Sequence, residues 1–79
     1  LSGLMLLAGP LLAQGNPNAG AAAFDAGCGS CHDDPVALME PTGLLSTPDG
    51  ATRLRALLAR HHNPGASTDD VVAYLMSLH

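Results

Sequence analysis

The chain has no lysine and no tryptophan, and only one phenylalanine and one tyrosine among its 79 residues. Three arginines stand against seven aspartates and glutamates, for a formal charge of −4. No basic patch exists to neutralise phosphates, which disfavours nucleic-acid binding. An acidic surface suits a protein partner that presents positive charge, and serves plain solubility equally well. Neither a phosphate-binding glycine motif nor a nucleophile–base constellation is present, so a stand-alone enzyme is not expected. The scarcity of large rings matters for the core. Phe24 and Tyr74 are all the chain offers, and a body of this size holds one domain at most. Such a small domain usually needs a disulfide, a metal or a cofactor to hold it.

Long apolar runs are also missing. Residues 1–13 are apolar and uncharged and end near Leu12-Ala13-Gln14-Gly15, but a bilayer span takes about 20 residues. The segment reads as the apolar region of a secretory signal whose start methionine and basic residues precede Leu1. Residues 1–14 are therefore expected to be a signal remnant, 15–18 a linker and 19–79 the domain. Membrane anchoring is expected only if a longer N-terminus stays uncleaved.

Against these absences stands Cys28-Gly29-Ser30-Cys31-His32. C-x-x-C-H is the attachment sequence for a c-type haem. Two thiols three positions apart on a tight turn can each add across one of two neighbouring vinyl groups of a porphyrin, and the adjacent His32 then becomes the proximal iron ligand. A thiol redox pair or half of a zinc site are the competing readings. Both cysteines of the chain lie in this motif, leaving no second pair for zinc and no resolving thiol elsewhere. One covalent haem c, held by Cys28 and Cys31, would supply the core that the side chains lack, and the apoprotein is expected to be poorly folded.

The remaining sequence reads as helices and loop. Residues 18–27 form a short helix with Asn18 as N-cap, and Gly20, Phe24 and Cys28 share one stripe. Residues 28–48 are mostly loop, with turn signals at Asp33-Asp34-Pro35, Pro41-Thr42-Gly43 and Ser46-Thr47-Pro48-Asp49-Gly50. Residues 51–62 form a helix capped by Asp49 or Thr52 and stopped by Asn63-Pro64-Gly65. At about 100° per residue, its stripe of Leu54, Leu57 and Leu58 continues to His61, with His62 near the edge. Residues 67–79 form a last helix, capped by Ser67 or Thr68, with Asp69 and Asp70 in its first turn and Val71, Tyr74, Leu75 and Leu78 on its apolar side. His79 is expected to be solvated. No segment has strand periodicity.

Gly20-x-x-x-Phe24-x-x-x-Cys28-x-x-Cys31-His32 and the closing Val72-Ala73-Tyr74-Leu75 resemble a small bacterial class I c-type cytochrome over residues 18–79. The resemblance implies an all-α fold of about three helices around one covalently attached haem. It implies that the first and last helices cross with Gly20 against Tyr74, that Phe24 packs over the haem edge, and that the Pro41 carbonyl accepts the Nδ1–H of His32. One departure stands out: the family places an axial methionine before the terminal helix, and none is there. Met39 follows His32 too closely to reach the other haem face with slack, and Met76 lies off the apolar stripe of the last helix, as a surface residue. His61-His62 occupies the family's methionine position, and the run to Ala66-Ser67 also resembles the distal segment of some bis-histidine haem domains. That alignment selects His61 as second iron ligand, ahead of His62, Met39 and Met76.

The function implied is that of a periplasmic or otherwise exported one-electron carrier, or a cytochrome subunit of a redox complex, with redox proteins as partners. Arg53, Arg55 or Arg60 are candidates to pair with a haem propionate, with solvated helix arginines as the commoner reading. Two adjacent histidines also admit a gas-binding or sensing haem domain with a displaceable distal ligand. A third reading makes the domain a docking module of a dehydrogenase.

Overall fold

A computed structural model describes residues 15–78. The expected signal remnant and His79 lie outside the described residues. Among the described residues, four α-helices follow one another: α1 (Pro17–Gly27), α2 (Pro35–Met39), α3 (Gly50–Arg60) and α4 (Thr68–Met76). Short 3₁₀ turns at Glu40–Thr42, Leu44–Ser46 and Gly65–Ser67 connect them. The described residues contain no strand, so the all-α expectation holds.

α1 begins earlier than its alanines suggest. Asn16, not Asn18, is the N-cap; its side-chain oxygen accepts from the backbone N–H of Asn18 at 2.8 Å and of Ala19 at 3.1 Å. Pro17 takes the first helical position, where its missing N–H is no loss. The backbone N–H of Asn16 donates to Asp70 Oδ1 at 2.8 Å, which ties the start of α1 to the first turn of α4.

The two helices then cross closely. Gly20 is buried, and a Cβ there would collide with the Asp70 carbonyl and lie 2.8 Å from Tyr74 Cβ. One turn on, the Phe24 and Tyr74 rings meet at 5.8 Å with a 54° tilt, a favourable aromatic arrangement. The expected pairing of Gly20 with Tyr74 is therefore present.

The expected loop over residues 28–48 is largely structured. Asp34 caps α2 by accepting from Ala37 N–H at 3.1 Å, and Pro35 opens it. The Asp-Pro pair that reads as a turn is a helix start, and five residues are too few for periodicity to show. The Thr42 hydroxyl donates to the Met39 carbonyl at 2.6 Å, and the Thr47 hydroxyl to the Gly43 carbonyl at 2.8 Å, which compacts both 3₁₀ turns. α3 starts at Gly50, whose missing Cβ lets the Leu44 carbonyl approach. Asp49 holds the capping position of α3, but its carboxylate pairs with Arg53 at 3.0 Å instead of a backbone N–H. Ser67 likewise precedes α4 without a side-chain cap.

α4 carries two apolar ridges. Val71 and Leu75 form one; Val72 and Met76 form the other, four residues apart on the same side. Val72 is buried, and Met76 Cε would lie 3.1 Å from a Cβ on Gly50. Met76 is thus a packing residue behind α3, not the surface residue that its angle from Val71 suggests.

Gly20→Ala is expected to lower stability by about 1–3 kcal/mol through overpacking at the crossing. Gly27 has nothing within 4 Å of its Cβ position, so Gly27→Ala should be neutral or gain about 0.5–1 kcal/mol. Chemical denaturation of the two variants measures both; equal losses would contradict the close crossing.

Candidate functional site

The turn after α1 is built by one carbonyl. Cys28 closes the helix with its N–H on the Phe24 carbonyl at 2.7 Å. Its own carbonyl then accepts from Cys31 N–H at 3.1 Å and from His32 N–H at 2.8 Å. Gly29 packs so tightly that a Cβ would fall 2.7 Å from the Asp25 carbonyl. This single turn brings Cys28, Cys31 and His32 to the wall of one cavity, with a volume of about 440 Å³. Both thiols are free; Cys28 is half-buried and Cys31 exposed.

The rest of the wall is aliphatic. The first helix contributes Phe24, α2 contributes Leu38 and Met39, and Leu44 comes from the second 3₁₀ turn. Leu54, Leu57 and Leu58 of α3 and Val71 and Leu75 of α4 complete it. Leu57 is 40% exposed although it belongs to the apolar stripe of α3, because that stripe faces the cavity.

Most of the buried core lies on this wall. Seven hydrophobic side chains are buried: Phe24, Met39, Leu54, Leu58, Val71, Val72 and Leu75. All but Val72 line the cavity. These buried residues form the floor of a partly open pocket, exposed at Cys31, Leu57, His61 and His62, whose volume lies in the range of small-molecule and cofactor pockets, about 300–1,000 Å³.

His61 and His62 line the same cavity from the end of α3, and both are exposed. α3 ends at Arg60 instead of running to residue 62, because His61 is already extended, with φ −124° and ψ 104°, and His62 follows with a φ of 54°. His61 is the C-cap. Met39, expected to be a poor ligand candidate, is 2% exposed and part of the wall. Pro41 is exposed and does not line the cavity, whereas its neighbour Thr42 does. Tyr74 packs behind Phe24 and does not reach the wall; Met76 lies in a separate groove with Gly15, Ala51 and Val72. Leu38, Leu44 and Thr42 were not singled out by the sequence. The apolar pairs Leu38-Met39 and Leu44-Leu45 inside a supposed loop were the available signal.

The charges keep to the rim. Arg53 pairs with Asp49 at 3.0 Å and Arg55 with Asp69 at 2.8 Å, all exposed and worth little individually. Arg60 makes no ion pair among the described residues. None of the three arginines lines the cavity.

The donor atoms are spread around the wall. Among the described residues, no three His, Cys, Asp or Glu side chains converge as the site of a bare metal ion would require.

In the chain with both thiols free, iodoacetamide is expected to modify exposed Cys31 ahead of half-buried Cys28. Peptide mass mapping at partial labelling reads the order, and a faster Cys28 would contradict the placement of the turn. Comparison with protein-family models, with curated proteins and with solved structures finds no match to this chain, so the meaning of the cavity rests on the residues that line it.

Proposed function

We propose that the cavity holds one haem, attached covalently through Cys28 and Cys31, and that the protein is a one-electron carrier working outside the cytoplasm. The observation that carries this reading is the hollow core: six of the seven buried hydrophobic residues line a space that also receives both cysteines and three of the four histidines. When bound, haem supplies reversible one-electron exchange between ferric and ferrous iron.

Each residue then has a defined task. Cys28 and Cys31 tether the ring by thioether bonds, so it cannot be lost in a dilute extracellular space. His32 serves as proximal ligand, its backbone fixed by the Cys28 carbonyl. His61 serves as the distal ligand on the cavity wall. Met39, Leu54, Leu58, Val71 and Leu75 exclude water from the ring faces and keep the local dielectric low. With two protein ligands the iron has no open position, and the exposed rim is left for contact with donor and acceptor proteins. A partner with a basic surface suits the −4 charge of the chain. The apolar run of residues 1–13 supports export. Among the described residues, no helix is long and apolar enough to cross a membrane.

One observation favours a second reading. His61 and His62 are both exposed and sit at or just past a helix end, where a ligand is easily displaced. A gas-binding domain would use that freedom.

Optical spectra of protein made in a haem-maturing periplasm separate the two. The carrier reading predicts low-spin ferric and ferrous forms, with a ferrous spectrum unchanged by carbon monoxide. A high-spin ferrous form, or prompt carbon monoxide binding, would overturn it in favour of the gas-binding reading.

A further inference from the structure

The loop after α3 contains two residues in left-handed backbone conformation, and they differ in kind. Gly65 has a φ of 64° with open space around its Cβ position. His62 has a φ of 54° and is the only non-glycine with positive φ among the described residues. Glycine adopts this conformation readily; residues with a Cβ do so against a steric penalty, histidine, asparagine and aspartate more often than the rest. The neighbouring Asn63 would bear it better, but its side chain instead accepts from Gly65 N–H at 2.8 Å and shapes the following turn.

The conformation at His62 has a geometric effect. His61 is extended, with φ −124° and ψ 104°. In an extended chain, successive side chains point to opposite sides. Had His62 continued that run, one imidazole would face the cavity and the other would face away. Both line the cavity. The left-handed residue turns the chain, and both histidines contribute to one wall. Strain held at one residue of a functional wall points to a use for its side chain.

We propose that His61 and His62 are alternative distal ligands, either of which can close the iron's sixth position when the other leaves. The proposal rests on the haem reading and deepens it. An exposed imidazole at a helix end detaches easily, and a second imidazole on the same wall covers the loss. The site thereby stays closed to external ligands. The apparent affinity of such a ligand is reduced by the fraction of time the site is open, so a site open about 1% of the time binds about 100-fold more weakly.

The test uses the haem-loaded protein and five variants: His61→Ala, His62→Ala, His62→Gly and the doubles His61→Ala/His62→Ala and His61→Ala/His62→Gly. Ferric spin state is read by electron paramagnetic resonance, and carbon monoxide affinity by titration of the ferrous form. Each single variant should stay six-coordinate and low-spin. The double variant should turn high-spin and bind carbon monoxide about 100-fold more tightly than the unaltered protein, as expected on removing the closed state. His62→Gly retains the left-handed turn without the imidazole, so a low-spin His61→Ala that turns high-spin when His62→Gly is added supports His62 as ligand and separates loss of the ring from loss of the turn. If either single alanine variant is as high-spin as the double, one histidine alone is the ligand and the proposal fails. If the double variant stays low-spin, the ligand lies elsewhere, with Met39 the nearest candidate on the wall, and the proposal fails as well. A chain that carries no covalent haem would instead bring down the reading beneath it, a result distinguishable before any variant is made.

Discussion

The approach of α1 to α4 at Gly20 sets everything else in the molecule. With no side chain at that position, the first helix lies against the Asp70 carbonyl and Tyr74 Cβ. Asn16 locks the arrangement from one end through Asp70, and the Phe24–Tyr74 ring pair from the other. The crossing fixes the direction in which α1 ends. Its C-terminal turn, closed on the Phe24 carbonyl, carries the two thiols and the imidazole to the side of α4 that bears Val71 and Leu75. Structure at the crossing thus determines chemistry two turns away.

A second constraint is volume. Full burial of a large aliphatic side chain contributes about 1.5–3 kcal/mol, and most of the few buried here have one face on the cavity. Contacts across a void are lost outright. Of the two large aromatic rings among the described residues, Phe24 is on this wall and Tyr74 is not. In the proposed haem reading, the hollow interior and the C-x-x-C-H turn are two views of one design, in which the missing part of the core arrives as a ligand. The cavity also explains why Leu57 stays 40% exposed on the apolar side of α3.

Much of this was legible in the sequence. The C-x-x-C-H run, the Gly20–Phe24–Cys28 stripe and the Leu54–Leu58 ridge are local patterns, and helices of ten or so residues express them clearly. Three things were not legible. α2 has five residues, too few for a period, and its Asp-Pro start serves turns and helices alike. A single apolar stripe on α4 would leave Met76 in solvent, whereas Val72 and Met76 form a second ridge facing Gly50 and Ala51. His61 was expected on the helical face of α3, but it reaches the cavity as a C-cap, and the turn that places His62 beside it depends on a backbone angle that no periodicity encodes. The sequence puts His61 on the apolar face of α3 and His62 near its edge; the structure has both line the pocket from beyond the helix.

The proposal that the space inside this chain holds a covalently attached haem has one decisive measurement. It is the intact mass of the protein exported through a periplasm with c-type haem maturation, taken after acid and organic-solvent extraction. The expected mass is that of the chain plus one haem, falling to that of the chain alone in Cys28→Ala/Cys31→Ala. A wild-type chain that emerges at its bare mass with two free thiols would contradict the proposal.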